Sequence, residues 1–414
     1  MNSGYLSDYF SGVGIKTLTK VDATSSSNQH EVGDSRGGAT MMRILGDRPR
    51  MKNDRFEARY IYLCREQETI SEEGYVSWYD TRANKPDRDP EWRLYYQSNA
   101  VTALMDEGDT LILARTNEDV ILFVVIPADS SILGEAKWLF GFHQQEILEF
   151  EAKPLSGAND SQLDFISRFI LDEIGIEFED PNANSLDSII ERFGFQFPKT
   201  VEFSDLARLT LPEVDAAADP DAALIAWLNH EEALFRRLEK RILTDRLAKG
   251  FHDGKEADVD GFINFSLGVH NRRKSRMGHA LQNHLAAVFE ASNLRYEAQV
   301  KTENGKTPDF LFPGADEYFD GSFPVGLLTM LAAKSSCKER WAQILPEAER
   351  IPDKHLVTLE PGISESQTDQ MRAAKVQLIV PIEIASSFTS PQRKWIWSVS
   401  DFVGHVRTQQ DFDS

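Results

Sequence analysis

Asp309, Lys334 and Glu347 are the residues of this chain most able to do chemistry together. They sit in Thr307-Pro308-Asp309-Phe310-Leu311-Phe312, Leu331-Ala332-Ala333-Lys334-Ser335 and Leu345-Pro346-Glu347-Ala348. A carboxylate on one strand, a lysine on the next and a second carboxylate on a following helix can hold a divalent metal beside a phosphodiester. Hydrolysis of that bond needs charge stabilisation on the phosphate and an acidified water. Pro-Asp followed by a distant Lys is a common pattern. Singly, each residue also reads as a turn Asp, a strand-end surface Lys or a solvated helix Glu.

The elements that must position them are legible from patterning. Apolar runs predict strands at 296–300, 309–312, 327–334, 355–359 and 376–380. Helices are expected over 221–249, 274–292 and 338–350, the last carrying Glu347 about two and a half turns in. Helix, strand, strand, helix, strand is the core order of the PD-(D/E)XK nuclease fold. The first 155 residues read as β-rich, with alternation over 56–63 and a hairpin of 110–115 with 120–126. Residues 25–38 and 80–90 read as loops. A helix over 161–173 and an acidic stretch over 175–185 suggest a linker. The expected division is 1–155, 156–190 and 191–414. The fold class is α/β (α+β) and multidomain, with a β-rich first domain and a mixed sheet flanked by helices in the second.

The full chain has 414 residues, 41% hydrophobic, which suggests two or three domains. Two cysteines, Cys64 and Cys337, suit a reducing cytosol better than a disulfide framework. There is no basic-apolar leader and no apolar run near the roughly 20 residues that span a bilayer. The expectation is a cytoplasmic protein without a membrane partner. A net charge of −21 argues against nucleic acid at face value, but DNA binding draws on local basic clusters. One such cluster holds Arg43, Arg48, Arg50, Lys52, Arg55 and Arg59. The other is Arg272, Arg273, Lys274 and Arg276, placed to meet phosphates; either could equally be a solvated face.

The words NRRKSR at 271–276, Lys306-Thr307-Pro308-Asp309-Phe310-Leu311-Phe312-Pro313, Lys334 through Trp341, Gln343-Ile344-Leu345 and Val380-Pro381 resemble the catalytic domain of the EcoRII-type restriction endonucleases. The likeness covers about 190–385 well and the first 150 residues weakly. It implies a Mg²⁺-dependent, site-specific deoxyribonuclease leaving 5′-phosphates. Asp309 and Glu347 would be the metal carboxylates, and Lys334 would lie beside the water and the scissile phosphate. Glu347 on the helix would account for Ala332 at the usual acidic position. Tyr318 falls at the family's active-site tyrosine. Gln282 stands where the family has a supporting Glu.

Lys338, Glu339 and Arg340 fall in the segment that reads bases in related enzymes. Arg pairs with guanine O6 and N7 and Glu accepts from cytosine N4, which suits a C·G-rich palindrome and hence a homodimer. The resemblance implies a β-barrel-like, B3-like first domain that binds a second DNA site as effector (type IIE). His30 and Arg93 fall near its DNA-binding positions. The aromatics Trp78, Tyr79, Trp92, Tyr95 and Tyr96 read as core or as a pocket for a flipped base, which would make a modification sensor. The non-enzymatic alternative is a DNA-binding regulator with a weakened nuclease centre.

Overall fold

The structure is a computed structural model. It describes residues 4–23, 30–34, 38–46, 54–64, 69–85, 87–130, 132–142, 147, 149–155, 163, 167, 170–171, 174–176, 183–253, 256–335 and 341–411. The chain divides into two compact units, 1–181 and 182–414. Most of the helix expected over 161–173 and of the acidic stretch after it lies outside the described residues. The helix Ala183–Ile190 belongs to the second unit, where Leu186 and Ile190 pack on Phe203, Leu234 and Leu238.

The first unit is built on one eight-stranded sheet. Its strands are β1 (Phe10–Thr17), β2 (Glu31–Gly33), β3 (Asp54–Tyr62), β4 (Ile70–Asp80), β5 (Trp92–Tyr96), β6 (Thr110–Thr116), β7 (Ile121–Ile126) and β8 (Glu151–Pro154). Their order is β2-β5-β4-β3-β7-β6-β1-β8. Only β3 and β7 pair in parallel; the expected hairpin is the antiparallel pair β6–β7. Among the described residues the ladder stays open, with β2 and β8 at its ends, so the barrel-like expectation reduces to a half-barrel sheet. β2 also interrupts the stretch expected to be a loop.

Large apolar side chains cover one face of this sheet, and Trp78 and Trp92 lie among them, 0% and 2% exposed. Their rings stack with centroids 5.4 Å apart. Gly38, at φ +96°, closes over them; a Cβ there would stand 2.4 Å from the Trp92 Cβ. The two tryptophans therefore fill core rather than line an open pocket for a flipped base. Tyr96 is core as well, and the Tyr79 hydroxyl is bonded to Glu31.

The second unit joins long helices to a five-stranded sheet. Asp219 caps the helix Pro220–Lys249 by accepting from the Ala222 N–H, and Gly250 at φ +71° ends it. A short hairpin follows, β9 (His252–Asp253) and β10 (Glu256–Ala257). Asp258 then caps a helix that runs from Val259 to Ala291, fifteen residues earlier in its start than the expected 274. The NRRKSR stretch is thus inside this helix. Strands β11 (Glu297–Ala298), β12 (Phe310–Phe312), β13 (Thr329–Lys334), β14 (Lys354–Thr358) and β15 (Val376–Ile379) lie side by side in that order. The first three are antiparallel, and β13, β14 and β15 are parallel. The helix Val399–Asp411 contributes Phe402, which packs on Phe289 and Phe312. No helix among the described residues is long and apolar enough to cross a membrane.

Candidate active site

The antiparallel pairing of β12 and β13 brings the key residues together. Phe310 faces Leu331 and Phe312 faces Thr329, so the start of β12 meets the end of β13. Asp309 lies just before β12 and Lys334 closes β13. Both strands are buried, and their apolar side chains fix the register that aligns the two polar ends. Asp309 itself is 6% exposed.

Four donors meet the Asp309 carboxylate. Oδ2 accepts from the Ala333 N–H at 2.7 Å and from Lys334 Nζ at 3.2 Å. Oδ1 accepts from Gln282 Nε2 at 2.8 Å and Gln299 Nε2 at 3.1 Å. Gln282 projects from the helix Val259–Ala291 and reaches the site. An amide can present either its N–H₂ or its oxygen, and rotation of either Gln would expose Oδ1 and offer a neutral oxygen ligand beside it.

Glu347 completes the group, but not from a helix. Residues 341–344 form one 3₁₀ turn, and 345–350 are turns and bends. Pro346 cannot donate to a helical ladder, and Ala348 sits at φ +45°. Lys354, 4% exposed, ties this bend down. Its ammonium donates to the carbonyls of Glu347 at 2.5 Å and Ala348 at 2.8 Å. Thr302 Oγ1 accepts from the Ala348 N–H. Burial, and next the neighbouring charge of Asp309, push the Glu347 carboxyl above the usual range, against the pull of Lys334. Glu347 Oε2 is buried without a protein partner. Carboxylate and amide oxygens are the donors hard divalent cations take, and a buried, unpaired, proton-hungry carboxylate oxygen is what such an ion would relieve. The residues present therefore fit a divalent metal, although no cluster of three or more His, Cys, Asp or Glu occurs among the described residues.

Other expected site residues fall elsewhere. Tyr318 is 1% exposed and its hydroxyl donates to Glu303 at 2.6 Å; burial first, and then this bond, push the phenol up. Arg350 donates to its carbonyl, so Tyr318 braces the bend that carries Glu347. Lys338, Glu339 and Arg340 lie outside the described residues, as does the Lys274 side chain.

The basic stretch on the long helix runs from exposed Arg272 through half-buried Arg273 to buried Arg276. Arg276 is 7% exposed and pairs with Glu231 and Glu232. Arg273 forks onto Glu239, which is 2% exposed. Arg272 lies over the Phe197 ring at 4.1 Å. A buried carboxylate needs a cation, so Arg273 and Arg276 answer Glu239, Glu231 and Glu232 in the helix packing. In the first unit His30, at φ +45°, stands edge-on to Tyr96 and 3.4 Å from Ser98 Oγ. Arg93 pairs with Glu91. Sequence reasoning missed Gln299, Lys354 and Glu303. Lys354 at the start of an apolar strand was the only signal available.

Residues 235–403 match the family model described as EcoRII C terminal. That match lies within the second unit, 182–414. The type II restriction enzyme EcoRII of Escherichia coli is 36% identical over 233 residues, which cover 56% of this chain and 56% of that enzyme. The chain thus spans a little over half the length of this curated relative. Among solved structures, metal-depleted Ecl18kI with uncleaved, modified DNA aligns at TM-score 0.45 and 18% identity, over 55% of this chain and 84% of that one. PspGI with substrate DNA aligns at TM-score 0.43 and 14% identity, over 52% and 94%. The matched stretch contains every residue of the Asp309 centre.

Proposed function

We propose that this protein is a divalent-metal-dependent, site-specific DNA endonuclease of the EcoRII type. The observation that carries this is the meeting of Asp309, Lys334 and a buried, unpaired Glu347 at one end of β12 and β13. Asp309 and Glu347, with an amide oxygen of Gln282 or Gln299, would hold Mg²⁺. A bound divalent ion supplies charge to the scissile phosphate and lowers the pKa of the attacking water. Lys334 places a second positive charge beside the same phosphate, where negative charge grows as the bond breaks. Water adds to phosphorus and the 3′ oxygen leaves, giving a 5′-phosphate and a 3′-hydroxyl. Lys354 and Tyr318 would brace the bend that carries Glu347.

Lys338, Glu339 and Arg340 follow Lys334 closely and would read a C·G-rich palindrome, which calls for a homodimer. The first unit would bind a second copy of the site, with His30 and Arg93 at the contact. With Trp78 and Trp92 inside the core, base flipping into that unit has no support, and the effector reading is preferred over a modification sensor. One observation favours the non-enzymatic alternative: both Asp309 Oδ1 contacts come from neutral amides, which leaves the centre one carboxylate short of the family pattern.

Cut-site mapping on a sequenced phage genome with Mg²⁺ tests the proposal. It expects discrete ends at one C·G-rich sequence, carrying 5′-phosphates. Random nicking, or none at any divalent ion, would leave the regulator reading standing.

A further inference from the structure

The far edge of the second unit's sheet holds a pocket that the Asp309 centre does not use. It has a volume of about 540 Å³ and lies beside β14, β15 and the helix Val399–Asp411. This is within the range of small-ligand sites, about 300–1,000 Å³. His355, Trp395, Trp397, His405, Arg372 and Lys375 are among its lining residues. The rings of His355, Trp397 and His405 stand 5.1–5.7 Å apart, centroid to centroid. Trp397 is held by pairing beside Ile379, and Gln377 Nε2 donates to the Trp395 carbonyl at 2.9 Å, so the wall is fixed.

His355 is 5% exposed, and its Nδ1 is buried with no partner in the protein. The ring also hydrogen-bonds the Met330 backbone. A neutral imidazole that donates through one nitrogen can only accept through the other. Burial keeps this ring neutral, its pKa lowered to about 3. Nδ1 is therefore an acceptor lacking a donor, beside a pocket whose walls are aromatic. Arg372 and Lys375 are exposed at its rim and add positive charge, against the single carboxylate of Asp353.

We propose that this pocket binds a nucleotide unit, with an aromatic base that donates an N–H to His355 and a phosphate that meets Arg372 and Lys375. The base would lie against Trp395 and Trp397, since base–aromatic stacking is tolerant of base identity. The same chemistry is offered by a free mononucleotide and by the 5′-phosphorylated end of a DNA strand. The proposal does not depend on the endonuclease reading.

Saturation-transfer NMR on the full chain, without divalent metal, tests it with four probes: dGMP, deoxyguanosine, inorganic phosphate and a 5′-phosphorylated tetranucleotide. Saturable binding of dGMP, tighter than that of deoxyguanosine or phosphate, is expected. Arg372→Glu with Lys375→Glu should weaken dGMP about tenfold and leave deoxyguanosine unchanged. His355→Phe should weaken both nucleoside and nucleotide about tenfold. The double variant is on the surface and keeps the test valid if His355→Phe does not fold. Binding of the tetranucleotide alone assigns the site to a DNA end, and equal binding of dGMP assigns it to free nucleotide. No saturation by either up to about 10 mM, or one affinity across wild type and the double variant, overturns the proposal.

Discussion

Two groups of charged residues in the second unit use the same residue types to opposite ends. Around Glu231, each carboxylate is answered from within. Arg276 meets Glu231 and Glu232, Arg273 and Arg236 meet Glu239, and Arg236 also meets Glu232. His284 finishes the set: its Nδ1 lies 3.0 Å from Arg208 Nη1, and its Nε2 lies 2.9 Å from Glu231. Burial holds that imidazole below its usual pKa. Burial alone would raise Glu231, yet His284 and Arg276 outweigh it and its carboxyl ends below the usual range. Around Asp309 the balance is incomplete. Lys334 faces both carboxylates and Lys306 and Lys354 also act on Glu347, yet burial prevails and Glu347 rises where Glu231 falls. A charge cluster that closes on itself is packing, and one that leaves a buried carboxylate unanswered points to a missing cation.

Substitutions can break this contrast. Asp309→Ala should cut DNA cleavage on the order of 10³-fold or more, the loss of several kcal/mol of metal-dependent stabilisation, while folding stays intact. Arg276→Met should do the reverse. It strands Glu231 and Glu232 in the interior, at a cost of about 3–5 kcal/mol in urea unfolding. Unchanged stability in Arg276→Met would remove the distinction between the two clusters.

Smaller effects sharpen it. Lys354→Met frees the bend at Glu347, so the Mg²⁺ concentration for half-maximal cleavage should rise about 10–100-fold. Mn²⁺ calorimetry should show the same loss of affinity without DNA. Gln282→Glu supplies the charge that this centre lacks and should lower the Mg²⁺ requirement by about tenfold, near 1.4 kcal/mol. An unchanged or higher requirement would mean that Gln282 is no part of the metal site.

The smallest effect is in pH. Glu347 is raised in the folded state, so the folded chain binds more proton than the unfolded chain between the ordinary and the raised value. Metal-free stability should therefore fall as pH rises through that window. Glu347→Gln should flatten that slope in thermal unfolding, and saturating Mg²⁺ should do so in the wild type.

The sequence carried the centre further than its supports. The meeting of Asp309 and Lys334 was legible because two short apolar strands in antiparallel register leave little choice about where their polar ends meet. The helix expected beneath Glu347 was not there. Pro346 and a lysine eight residues later, Lys354, decide that segment, and a tertiary tether has no local periodicity. Arg273 and Arg276 looked like a phosphate-binding row because their partners, Glu239 and Glu231, lie 34 and 45 residues upstream. Trp78 and Trp92 fit core or pocket equally well until Gly38 closed over them. Burial is set by what arrives from elsewhere in the chain.

Cleavage of supercoiled plasmid in Mg²⁺ by wild type and Asp309→Ala, side by side, tests the central claim most directly. The account predicts discrete linear products from the wild type and none from the variant, with both proteins still retarding the same DNA in Ca²⁺. Undiminished cutting by Asp309→Ala, or no cutting by the wild type in any divalent ion, would contradict it.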